Sequence, residues 1–134
     1  MTARLDPVGG VKLARKRGFS RIAVPVSNPD LAEIIRSNNP NALIFGVHMS
    51  GITDDESQRI IEVSDLVTGC ASKKVRALAG KKALLQAGDV IPIFALTSRG
   101  KELVMKRILE TNEKIFFKPI RHPVICTNQP EPLV

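Results

Sequence analysis

Tryptophan and tyrosine are absent from the 134 residues, and the aromatic content is five phenylalanines. A core without large rings must be filled by Leu, Ile, Val and Ala, and a chain of this length can bury one such core. No apolar run approaches the ~20 residues needed to span a bilayer. Arg4 and Asp6 near the start lead into no apolar stretch of the kind a signal peptide carries. The expectation is a single α/β domain over residues 1–126 with a flexible tail over 127–134, no membrane association and a cytoplasmic location. Cysteine is scarce as well. Cys70 and Cys126 form neither a CxxC pair nor a zinc knuckle. His48, Cys70, His122 and Cys126 have no motif spacing behind them, so no metal site is expected. There is neither a GxGxxG run nor a glycine-rich loop ending in Gly-Lys-Ser/Thr, which leaves dinucleotide and P-loop binding without support.

What the chain does have is a formal charge of +7, unevenly spread. Arg4, Lys12, Arg15, Lys16, Arg17 and Arg21 face only Asp6 in the first stretch. Asp30, Glu33, Asp54, Asp55, Glu56, Glu62 and Asp65 then stand against Arg36 and Arg59. The basic surplus returns at Lys73, Lys74, Arg76, Lys81 and Lys82. Such asymmetry attracts anions or nucleic acid. No aromatic residue interleaves the basic runs, so base stacking is unsupported and nucleic-acid binding is not expected; a solvated face is the plainer reading.

The segment Ala42-Leu-Ile-Phe-Gly-Val-His-Met49 organises the pattern. It is almost continuously apolar, as a strand covered on both sides should be. Thr53 and Glu56 then form a capping box for a helix over 54–63. Before it, Asp6–Gly10 reads as a turn, 11–17 as a short basic helix stopped by Gly18, 21–26 as a strand with Pro25 near an edge or kink, and 29–36 as a helix entered through Ser27-Asn-Pro-Asp30. After it, 65–68 reads as a strand and 72–78 as a helix stopped by Gly80. Residues 83–87 fit either a strand or a continued helix. Residues 90–96 read as a strand, 100–110 as a helix capped by Ser98, and 114–117 as a short last strand. Strands alternating with helices over short connections predict a three-layer sandwich with a mainly parallel central sheet of four to five strands.

In such a sheet the chemistry collects beyond the carboxyl ends of the strands. The loops there are Ser27-Asn28, His48-Met-Ser50-Gly51, Thr68-Gly69-Cys70-Ala-Ser72-Lys73-Lys74 and Thr97-Ser98-Arg99. If the strands are adjacent and parallel, these residues converge on one rim, with helix N-termini, close backbone at Gly51 and Gly69, and the charge of Lys73, Lys74 or Arg99 to hold a small anion. The competing reading is that Ser, Thr and Gly before helices are ordinary caps. Cys70, set between Gly69 and the lysines at a helix start, is placed to favour its thiolate. His48 at the end of the central strand is a candidate base. Together they suggest a cysteine-dependent thiol or acyl transfer as the alternative to an accessory protein that binds an anionic ligand or a protein partner at the rim. The acids Asp54, Asp55 and Glu56 are explained by the helix dipole and the capping box. No particular cofactor and no oligomeric state is indicated.

The blocks Gly46-Val-His-Met-Ser-Gly51, Asp65-Leu-Val-Thr-Gly-Cys-Ala-Ser-Lys73, Lys82-Ala-Leu-Leu-Gln-Ala-Gly88 and Ile91-Pro-Ile-Phe-Ala-Leu-Thr97 resemble the methanogenesis marker protein 8 family. The resemblance covers roughly residues 20–118. It implies an archaeal cytoplasmic setting and a role near methane formation. It implies no reaction, and it draws attention to Cys70, Ser72 and Lys73 within its most distinctive block.

Overall fold

A computed structural model describes residues 5–119, 121–122 and 124. The expected tail, and the end of the domain at 126, lie outside these residues. Along the chain run α1 (Pro7–Lys16), β1 (Ala23–Val26), α2 (Pro29–Asn38), β2 (Leu43–Gly46), α3 (Asp54–Val63), β3 (Leu66–Thr68), α4 (Lys73–Lys82), β4 (Leu85–Ala87), β5 (Ile93–Ala95) and α5 (Ser98–Leu109).

Local chemistry sets most of these boundaries. The α3 capping box is formed: Thr53 accepts from the Glu56 amide and the Glu56 carboxylate accepts from the Thr53 amide. Asn28 caps α2 with Pro29 at its first position, and Ser72 caps α4. Three boundaries differ from the sequence reading. Asp6 caps α1, with Pro7 at its first position, so the helix starts four residues earlier than Val11. Gly80 lies inside α4, where a glycine weakens a helix by only about 1 kcal/mol. Thr97, not Ser98, caps α5 by accepting from Gly100. Residues 85–87 form a strand, whereas 114–117 form none.

The five strands make one mixed sheet in the order β1-β2-β3-β5-β4. β1, β2 and β3 pair in parallel, Val24 opposite Ile44 and Phe45 opposite Leu66. β5 runs antiparallel to both β3 and β4, Leu66 opposite Ala95 and Gln86 opposite Phe94. The mainly parallel sheet expected from the sequence is thus corrected. Only five residues separate β4 from β5, enough for a hairpin and too few for the crossover that parallel neighbours need.

Alternate strand residues feed two clusters. Val24, Val26, Ile44, Val67 and Phe94 pack with Val11 of α1, Ile35 of α2, Ile60 of α3 and Val75 of α4. Leu66 and Ala95, with Leu43, Phe45 and Leu85 partly buried beside them, pack with Val104 of α5. The covering is lopsided, four helices contributing to one cluster and α5 to the other. Each fully buried Ile or Val of the larger cluster stabilises the fold by about 1.5–3 kcal/mol.

Candidate functional site

Because β1, β2 and β3 are parallel neighbours, the loops at their carboxyl ends share one side of the sheet. Ser27 and Asn28 follow β1, His48 to Gly51 follow β2, and Gly69 to Lys73 follow β3. Asn28 is occupied as a cap, its side chain accepting from Leu31 at 3.0 Å. Ser72 is buried and accepts from Val75 at 3.2 Å. Those two are explained by capping.

His48 and Cys70 are set apart. Among the described residues they are the non-glycine residues with positive φ, at 56° and 41°. That region costs an L-residue roughly 1–2 kcal/mol. Each sits just beyond the end of one of two adjacent strands. After His48 the chain turns inward at Met49, which is fully buried, then outward through Ser50 and Gly51, itself at φ 79°. Gly46 leaves room for the buried Met49 side chain: a Cβ there would lie 2.4 Å from the Met49 methyl and 2.9 Å from a Val67 methyl. His48 is left exposed, and Cys70 is half-buried with its Sγ 2.8 Å from Thr68 Oγ1.

A cation completes this side. Arg76 Nε donates to the Cys70 carbonyl at 3.0 Å, and its Nη2 donates to the Val90 carbonyl at 2.9 Å. The second contact ties in the β4–β5 connection, whose Pro92 carbonyl also accepts from Gly69 at 2.7 Å. Arg76 and residues 88–92 were not selected from the sequence. A hairpin between β4 and β5 would have pointed to them, since β4 runs in the same direction as β3. Lys73 is exposed, and Lys74 pairs with Asp54 at 3.1 Å.

Thr97, Ser98 and Arg99 do not join this rim. β5 is reversed, so its carboxyl end lies by the amino end of β3. Thr97 Oγ1 donates to Asp65 Oδ1 at 2.6 Å and Arg99 Nη2 donates to the same oxygen at 3.2 Å. Ser98 is the exposed first residue of α5. Asp65 is fully buried, and its Oδ2 accepts from Arg36 Nη2 at 2.6 Å and from the Ile44 amide at 2.9 Å. Arg36 also donates to the Val63, Pro40 and Ala42 carbonyls. Burial pushes the Asp65 carboxyl upward; the Thr97, Ile44 and Arg36 hydrogen bonds and the Arg36 charge outweigh it and hold the group below the usual carboxylate range. With every described lone pair engaged, this buried network reads as a joint between β2, β3 and α5.

Two sizeable clefts lie away from the rim. One of about 970 Å³ runs along the amino ends of β1 and β2 beside α5, lined by Arg21, Leu43, Arg99 and Lys106 among others. The other, of about 860 Å³, lies between β4, α5 and the chain after α5. Among the described residues no group of three or more His, Cys, Asp or Glu is gathered to hold a metal, and no helix is long and apolar enough to cross a membrane.

Residues 1–109 match the family described as uncharacterised protein conserved in archaea (DUF2099). An uncharacterised protein of Methanocaldococcus jannaschii is 38% identical over 136 residues, covering 99% of this chain and 47% of its own length. The chain therefore spans about half of that curated relative. No solved structure matches it.

Proposed function

We propose that this chain, which belongs to the DUF2099 family of uncharacterised proteins conserved in archaea, is an accessory α/β protein binding a small anionic ligand where β1, β2 and β3 end. The observation that carries this reading is the pair of left-handed residues, His48 and Cys70, at the ends of adjacent strands. Strained backbone persists only where its surroundings over-determine it, and it concentrates at sites that handle ligands. Gly51 is exposed with open space beside it and keeps the backbone accessible to a ligand, whereas Gly69 is buried against Pro92 and Arg76; Arg76 and Lys73 supply positive charge.

The probe is inorganic phosphate, followed by amide chemical shifts. Shifts concentrated in residues 48–51, 69–73 and 88–91 are expected. Shifts confined to the basic stretch 12–21, or none, would remove the reading.

A second reading rests on the half-buried Cys70 sulfur beside the Thr68 hydroxyl: a thiol or acyl transfer with Cys70 as nucleophile and His48 as its base. In a Cys126→Ser background, iodoacetamide should then label Cys70 at neutral pH much faster than free cysteine, and His48→Ala should slow that labelling. Labelling only after unfolding would make Cys70 a packing residue. The resemblance of the four sequence blocks supports placing the protein among the methanogenesis marker protein 8 family, in the cytoplasm and near methane formation. Its depletion from a methane-forming archaeon should then lower methane output per cell.

A further inference from the structure

Beyond α5 the described residues form no helix or strand, and the chain returns to β4, the outer strand of the sheet. Gln86 holds the return. Its Nε2 donates to the Val124 carbonyl at 2.8 Å, and the Val124 amide donates to its Oε1 at 2.9 Å. A side-chain amide thus stands in for the backbone of a neighbouring strand and turns the segment after α5 into a strap.

Strap, β4 and α5 enclose the cleft of about 860 Å³. Leu85 and Ala87 of β4, Met105 and Ile108 of α5, and Ile115 and Phe116 of the strap give it an apolar lining. Phe116 is 85% exposed, so much of this apolar surface is in water. The charges around it have one sign: Lys81, Lys101, Lys118 and Arg121, with His122 beside them. No acidic residue lines the cleft among the described residues, and none of these four cations has an ion-pair partner among them.

We propose that this cleft binds an anionic amphiphile, a small organic carboxylate, sulfonate or phosphate with an apolar body. Uncovered apolar area and clustered like charge are separate costs, and a ligand with an apolar body and an anionic head relieves both. A neutral apolar molecule leaves the cations uncompensated. Bare phosphate leaves the phenylalanine and the aliphatic lining wet. The volume falls in the ~300–1,000 Å³ range of small-molecule sites. The cleft includes none of Ser27, Asn28, His48, Cys70 or Lys73, so it stands independently of the rim.

The test is calorimetric titration of the full chain with decanoate below its micellar range, with decanol and with inorganic phosphate. Decanoate should bind one to one, about tenfold or more tighter than decanol, and phosphate should leave the cleft amides unshifted. Lys101→Ala with Arg121→Ala should weaken decanoate about tenfold, the equivalent of about 1.4 kcal/mol, without affecting decanol. Phe116→Ser, at an exposed position that leaves folding unaffected, should weaken both. Equal affinity for decanol and decanoate, or decanoate binding indifferent to the charge variants, would overturn the proposal. So would binding of an acidic amphipathic peptide in the absence of any decanoate binding.

Discussion

Asp65 offers the sharpest test of how this fold is held. Its carboxylate is fully buried and accepts from Arg36, Thr97, Arg99 and the Ile44 amide. Asp65→Ala strips the acceptor from all four. Breaking a buried ion pair from one side costs about 3–5 kcal/mol. Arg36 keeps three carbonyl partners, and its side chain is 23% exposed, which lets its charge reach water and places the loss near the lower end, about 3 kcal/mol. Asp65→Asn keeps the shape and one acceptor oxygen but gives up the charge and turns the other oxygen into an NH2 that cannot accept from its two donors, so it should cost about 2–3 kcal/mol. Urea unfolding measures both. With a slope of about 1–3 kcal/mol/M for a domain of this size, the alanine variant should lose between about 1 and 3 M of midpoint.

The pH dependence fixes the sign. The folded carboxyl lies below its unfolded value of about 3.9, so the unfolded chain takes up the proton first as pH falls. The contribution is complete above about pH 5 and is lost as pH drops through the unfolded value toward the lower folded one. The stability gap between wild type and Asp65→Asn should therefore narrow from pH 5 downward. An Asp65→Asn protein as stable as wild type at neutral pH, or a gap that widens on acidification, would refute the reasoning.

Gly100→Ala should destabilise by about 1–3 kcal/mol in the same urea assay, because its Cβ would fall 2.2 Å from the Asp65 carbonyl oxygen, a backbone atom that cannot swing away. Thr53→Ala should cost about 1 kcal/mol by removing the hydroxyl that accepts from the Glu56 amide, while the backbone amide at position 53 can still donate to the Glu56 carboxylate. His48→Gly should stabilise the fold by up to about 1 kcal/mol, since relief of left-handed strain exceeds the extra entropy of glycine, and should at the same time reduce phosphate-induced shifts at the rim. Gln86→Ala should free the strap, seen as faster amide exchange at Val124 and weaker decanoate binding.

Much of the fold was legible because its signals are local. The Thr53–Glu56 capping box, Asn28 ahead of Pro29 and the apolar run 42–49 each act within a few residues, and each lies where the structure puts an element. The apolar run is longer than its strand: β2 stops at Gly46, and Met49 is buried by a left-handed turn at His48. Hydrophobicity marks burial, and a buried residue can sit in a turn as well as in a strand. The α1 start was missed because Gly9 and Gly10 read as a turn, while Asp6 capping and Pro7 at the first helical position prevailed. Ile115 to Phe117 looked like a strand by composition, yet they line a cleft as irregular chain.

Strand direction is what the residues did not disclose, and it decides which loops meet. Each of β1, β2 and β3 is followed by a helix, so their carboxyl ends coincide and bring His48 and Cys70 to neighbouring strand ends. β4 breaks the alternation, because five residues lead directly into β5 and the chain returns antiparallel. That one reversal carries Thr97 and Arg99 to the far side, where they meet Asp65, and brings Val90 and Pro92 to the rim in their place. The ambiguity of residues 83–87 was therefore a question about the site as much as about the fold. As a continued helix they would have made 90–96 a parallel strand and left Thr97 and Arg99 beside Cys70. As a strand they divide the molecule's cations, Arg76 and Lys73 going to the rim, Arg36 and Arg99 to the buried carboxylate, and Lys81, Lys101 and Arg121 to an apolar cleft that no carboxylate among the described residues answers.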